Sequence, residues 1–232
     1  MKEKSRGDKT GNSKLWLFEA SSMILDFKFD PILAYLDESK DMIAAKELEL
    51  KLKIEEWDDR YYSHHEAPEA FDYYEQEIIN QKKFPELLNN SIFLVIYSVF
   101  EDHFKGLCNM AGKRVNSKLI VTDISSHGGY IDQCRKFMIK VIGLELTELQ
   151  IEWTEIKKFQ LIRNAIAHNK GQIKEVKSDL NKFIETKPGI SYFRNSSLIF
   201  ISDIEFLQSF IDVIKKFFVK LNKNLIQELG KV

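Results

Sequence analysis

Residues 85–112 read PELLNNSIFLVIYSVFEDHFKGLCNMAG, a segment opened by a proline, closed by a glycine and apolar on almost every side in between. Proline suits the first turn of a helix, where the N–H it lacks has no intrahelical acceptor, and glycine suits the residue just past the end. A helix that is apolar nearly all round needs neighbours around it, so this segment predicts the centre of a helical bundle. Its greasiest run, IFLVIYSVF at 92–100, is about half of the ~20 residues that span a bilayer, and Glu101, Asp102 and His103 follow at once. A buried helix is expected, with no membrane contact.

Outward from this segment, the 232 residues contain only four prolines and ten glycines, and these fall between long stretches of helical periodicity. That punctuation predicts an all-α fold. On the amino side, LWLFEASSMILDF (15–27) predicts a short first helix. Asp30 and Pro31 supply an N-cap and a first-turn proline for a second helix over 31–66, rich in Glu and Lys around one apolar stripe. Pro68 restarts a helix through FDYYEQEIINQKK (71–83). On the carboxyl side a loop containing SSHGG (125–129) precedes a helix over 130–142, and LTELQIEWTEIKKFQLIRNAIAH (146–168) predicts another, stopped by Asn169-Lys170-Gly171. A helix is expected over 172–186. After Pro188-Gly189, ISYF and LIFIS flank RNSS and predict a small β-hairpin. The last helix, 203–229, repeats Phe206, Leu207, Phe210, Ile214, Phe217 and Leu221 at intervals of three and four, so one face packs along the bundle. The expected organisation is a disordered leader (1–14), a long helical arm with the N-terminal helices (15–84) and a helical bundle (85–232).

Charge and cysteine content exclude several classes. A net charge of −1 argues against coating nucleic acid by bulk charge, and leaves room for a local basic patch. The two cysteines, Cys108 and Cys134, form no CxxC and have no zinc-type spacing, so no disulfide framework, structural metal or cofactor is implied. The leader MKEKSRGDKTGNSK lacks the apolar centre of a signal peptide, which favours a cytoplasmic protein. Gly128-Gly129 has no GK[ST] after it and is no phosphate loop.

Chemistry concentrates in FQLIRNAIAHNKG, residues 159–171. At about 100° per residue, Arg163 falls between the directions of Phe159 and Ile156, inside the apolar sector. A guanidinium there needs an acid, a carbonyl array, a subunit boundary or an anionic ligand. Gln160, Asn164 and His168 form a separate polar stripe, with Asn164 placed to orient the imidazole. Arg163 and His168 point about 140° apart, which predicts that two copies of the helix, meeting through the small residues Ala165 and Ala167, share one composite site.

Arg163-Asn164-Ala165-Ile166-Ala167-His168 resembles the R-x(4 to 6)-H signature of the HEPN superfamily, in which a polar residue, often Asn, follows the arginine. The similarity takes in the preceding apolar helix with an acid, VIYSVFEDHF with Glu101, and the closing helix, about 85–229 in all. The resemblance implies a HEPN-like bundle acting as a dimeric, metal-independent endoribonuclease in a toxin or antiviral defence role. In such an enzyme the RNA 2′-hydroxyl attacks the adjacent phosphorus. His168 would be general base or acid, Arg163 would stabilise charge on the phosphoryl oxygens, Asn164 would orient His168, and Glu101 would hold Arg163. Lys157, Lys158, Lys170 and Lys174 would attract the RNA backbone. An antitoxin or a nucleotidyltransferase is a further expected partner.

The alternative is a non-catalytic RNA-binding or protein-interaction module, with Arg163 bridging to an acid and His168 a last-turn cation. His103 reads as a hydrogen-bonded core histidine, His64-His65-Glu66 as a solvated helix end, and Trp57, Tyr61, Tyr62, Phe71, Tyr73 and Tyr74 as packing.

Overall fold

The computed structural model describes residues 15–61, 67–125, 128–173, 178–193 and 196–231. The leader, the His64-His65-Glu66 group, Tyr62 and Lys174 lie outside the described residues. The architecture is all-α with one small hairpin. The helices are α1 (Trp16–Tyr61), α2 (Ala70–Tyr73), α3 (Glu75–Arg114), α4 (Tyr130–Phe137, extended by a π-helical turn Met138–Ile142), α5 (Gln150–Asn169), α6 (Ser178–Thr186) and α7 (Ile204–Leu229). The hairpin, β1 (Ile190–Tyr192) and β2 (Ile199–Ile201), falls between α6 and α7. Two compact units interleave in sequence: one takes the chain up to Phe29, Tyr97–Phe159 and the chain from Phe210 onward, the other Asp30–Ile96 and Gln160–Ser209.

Two helix starts expected at prolines are corrected. Pro31 lies inside α1 and Pro85 inside α3. An interior proline forfeits one backbone hydrogen bond and clashes with the carbonyl four residues back, at about 3 kcal/mol. Burial on both sides outweighs this at Pro31, with Leu25 and Phe29 sunk before it and Leu36 and Ser39 after it. The carbonyl deprived of its partner belongs to Phe27, which is 70% exposed, so water can reach that turn. A third correction concerns α3, which is not buried all round: Leu87 and Val95 are 65% and 50% exposed, on the side away from Phe93, Phe100 and Phe104.

The first unit is built on aromatic rings. Phe159 stacks on Phe210 at 4.1 Å between centroids, and Phe104 meets Phe217 edge-on at 5.4 Å and Trp153 at 6.4 Å. His103 sits in this core, 7% exposed, with Ser21 Oγ 2.8 Å from its Nε2 and the Phe218 ring edge-on at 4.6 Å. Lys220 and Glu152 close one edge of the unit with an ion pair of 2.6 Å.

In the second unit Phe93 stacks on Phe206 at 5.9 Å, and buried Asn89 donates from Nδ2 to the Ile201 carbonyl, tying α3 to the hairpin. The aromatic group of α1 and α2 packs on itself: Trp57 stacks on Tyr73 at 3.9 Å and donates from Nε1 to the Pro68 carbonyl. The strands pair antiparallel, Ile190 with Ile201 and Tyr192 with Ile199. The helix expected to begin at 172 is corrected: Gln172 forms a β-bridge with Leu198, and Ile173 N donates to the Ser197 carbonyl, so this stretch lies along the outer edge of the hairpin. Gly189 opens β1 at φ +77°, and a Cβ there would come within 2.9 Å of the Asp203 carbonyl oxygen. Gly189→Ala is therefore expected to lower unfolding free energy by about 2 kcal/mol, read by urea denaturation.

Candidate functional site

The site stands at the C-terminal end of α5, and helix arithmetic explains how the chain exposes it. Glu152, Trp153, Ile156 and Phe159 are buried in the first half of the helix, Ile162 and Ala165 in the second. Because successive residues turn by about 100°, the covered side has swung round by residue 162, and it no longer includes the direction of Ile156. Arg163 thus emerges half-buried at the flank, and Asn164, Ala167 and His168 are exposed. The expectation of an arginine within the apolar sector is corrected accordingly.

The guanidinium lies along the helix surface toward the C-terminus. Arg163 Nη1 donates to His168 Nε2 at 3.1 Å and to Asn164 Oδ1 at 3.2 Å. Two further expectations change with this contact. The pair converges within one chain, because the flexible arginine stem covers an angle that the Cα directions alone leave open. Asn164 engages the guanidinium, where orientation of the imidazole was expected. Since a guanidinium only donates, Nε2 of His168 is the acceptor in this contact. Ala165 is buried at 3% exposure, so of the two small residues only Ala167 is at the surface.

α5 ends in two successive residues of positive φ, Lys170 at +53° and Gly171 at +84°, and Gly171 N donates back to the Ala165 carbonyl at 2.9 Å. The left-handed stop expected of the glycine alone is shared with Lys170, whose side chain is exposed. From there Ile199 N donates to the Gly171 carbonyl, welding the hairpin to the helix end.

The other expected residues are placed as follows. Lys157 is held by Asp132 at 2.6 Å and stands 6.0 Å over the Trp153 ring, so its charge is already matched within the first unit. Lys158 is half-buried in the same unit. Glu101 is half-buried on α3, in the first unit, whereas Arg163 belongs to the second. The Tyr130 hydroxyl is pushed up to about 12, chiefly by burial, with Cys134, Cys108 and then Glu101 adding to the effect. Sequence reasoning missed Gln172, whose Nε2 reaches Ser197 Oγ at 3.4 Å.

Among the described residues, no three His, Cys, Asp or Glu side chains gather as a metal site would require, and no helix is long and apolar enough to cross a membrane. Compared with known protein families, curated proteins and solved structures, the chain matches none.

Proposed function

We propose that the protein is a HEPN-type, metal-independent endoribonuclease. The observation that carries this reading is the 3.1 Å contact between Arg163 Nη1 and His168 Nε2 on an exposed helix end. It joins a cation suited to phosphoryl oxygens with an imidazole nitrogen suited to accept a proton. When an RNA phosphate enters, the guanidinium redirects N–H donors to the phosphoryl oxygens while Asn164 Oδ1 retains one. Nε2 is then released to take the proton of the 2′-hydroxyl, whose oxygen attacks phosphorus. The 5′-oxygen leaves with a proton from a general acid, giving a 2′,3′-cyclic phosphate and a 5′-hydroxyl.

A second copy is the proposed source of that acid, its own His168 in the protonated form. Leu161, 40% exposed, and Ala167 share the solvent-facing arc with Asn164 and His168 and offer an apolar contact for it. A mass near twice 27.2 kDa in solution is the expected outcome. Toxin or antiviral defence, with an antitoxin or nucleotidyltransferase partner, belongs to the same proposal.

The test is incubation of single-stranded RNA with the protein in EDTA, comparing wild type with Arg163→Ala and His168→Ala. Equal cleavage by all three would remove the site. A second reading, a non-catalytic RNA-binding or protein-interaction module, draws on the same geometry, because Arg163, Asn164 and His168 satisfy one another. Complete inactivity of wild type toward varied RNAs would select it.

A further inference from the structure

The second unit holds a cavity of about 220 Å³ between α1, α3 and the start of α7, lined by residues that the chemistry above does not use. Its wall is apolar at Leu36, Ile43 and Leu88. It also carries two polar side chains that are almost wholly buried, Ser39 at 3% exposure and Asn89 at 4%. Helical hydroxyls elsewhere in the molecule donate to the carbonyl four residues back, as Ser91 does at 2.7 Å and Thr154 at 2.8 Å. Among the described residues Ser39 Oγ makes no such bond and has no other partner. Asn89 commits its Nδ2 to the Ile201 carbonyl, and no donor among the described residues reaches its Oδ1. Buried polar atoms are nearly always paired, so two left open on the lining of one cavity mark a place for a ligand.

The lining also selects the ligand's chemistry. Asn89 Oδ1 can only accept a hydrogen bond, and Ser39 Oγ can accept as well as donate. The charged residues of the lining are Asp203, Glu47 and Lys40, so acids outnumber bases. Asp203 is half-buried and accepts from Glu205 N through Oδ1 at 2.9 Å, which leaves Oδ2 for a further donor. Its full negative charge outweighs the partial positive charge of the α7 start, roughly half a unit. Lys40 is exposed, and its long stem keeps the ammonium in water. Because Asn89 is bonded to Ile201, two residues before Asp203, the amide and the carboxylate stand at one end of the cavity. We infer that this cavity binds a small primary ammonium ion with a short hydrocarbon tail. The ammonium donates toward Asn89 Oδ1, Ser39 Oγ and Asp203, and the tail lies against Leu36, Ile43 and Leu88. At roughly 30 Å³ for each water displaced, the space takes a ligand of roughly seven heavy atoms. This inference stands whether or not RNA is the substrate.

The test uses the full chain at pH 7.5 and three probes that share one alkyl tail, n-pentylamine, 1-pentanol and pentanoate, each followed by isothermal titration calorimetry at fixed salt. Pentylamine is protonated at that pH and is expected to bind saturably, about tenfold tighter than pentanol, with pentanoate weakest of the three. Ser39→Ala is expected to weaken pentylamine binding about fivefold while leaving the urea midpoint unchanged or raised, since the hydroxyl it removes is bonded to nothing in the protein. Asp203→Asn keeps a residue suited to cap α7 and is expected to bring the amine and the alcohol to equal affinity. Absence of saturable pentylamine binding in the millimolar range overturns the site. An affinity order other than amine over alcohol over carboxylate overturns the assigned ligand class. Pentylamine binding that is unchanged in both Ser39→Ala and Asp203→Asn places the amine elsewhere and overturns the inference as a whole.

Discussion

Alanine at His168 is expected to lower RNA cleavage about a thousandfold, and alanine at Arg163 by a similar factor, with substrate affinity little changed in the first case. A positioned proton acceptor contributes about 10²–10⁴ to such a reaction. Removal of one donor aimed at developing phosphoryl charge costs about 10²–10³. The two side chains touch, so their effects are not independent, and the double variant is expected to fall little further than either single one. Arg163→Lys separates charge from geometry. An ammonium keeps the charge and lacks the planar fork that reaches Asn164, His168 and a phosphate together, so recovery is expected to be partial. Asn164→Ala is expected to cost about tenfold, since Asn164 acts through the guanidinium. Initial rates in EDTA with end-group analysis read all five variants. Cleavage that persists in His168→Ala, or products lacking a cyclic phosphate, would assign the activity elsewhere.

The parts of this molecule that were legible in its sequence are those governed by local periodicity. The α7 stripe is buried at every named position, from Phe206 to Leu221, and the hairpin and the end of α5 fall where the sequence puts them. What escaped depends on contacts between distant segments. Pro31 and Pro85 read locally as helix starts; at Pro31 the burial of residues on either side carries the helix through, whereas at Pro85 burial lies on the carboxyl side alone, from Asn89 onward. The pairing of Gln172 with Leu198 and of Lys157 with Asp132 has no local signature. At the site, helix arithmetic gave the directions of Cα–Cβ bonds and missed the reach of a four-torsion stem. It therefore separated two groups that the structure holds at 3.1 Å. His103 shows the reverse case, where a polar residue on an apolar face was legible as a core histidine because its chemistry left little else.

That histidine makes stability depend on mild acid. Burial first, and Lys28 second, push the His103 imidazole down to about 4, with Asp102 partly offsetting them. In the unfolded chain the same ring titrates near 6.5. At pH 7.5 it is neutral in both states and contributes no pH dependence. As the pH falls below 6.5 the unfolded chain binds a proton that the folded core refuses, so unfolding gains ground steadily until the pH passes about 4. With the ring 7% exposed, solvent screens this little, and the loss between pH 7.5 and pH 4.5 is expected to be about 2–3 kcal/mol, read by urea unfolding. The carboxylates held low by lysines, Asp102 by Lys28 and Glu152 by Lys220, give up their stabilisation as the pH falls from their ordinary values of 3.8 and 4.5 through their lower folded ones, so most of their loss comes at more acid pH than that of His103. His103→Gln keeps a hydrogen-bonding group near Ser21 Oγ and removes the titration. It is expected to be less stable than wild type at pH 7.5 and to lose almost nothing further on going to pH 4.5. A wild-type profile that stays flat across that interval would mean that the core opens to water around His103, and the packing of Ser21 and Phe218 against it would then have to be redrawn.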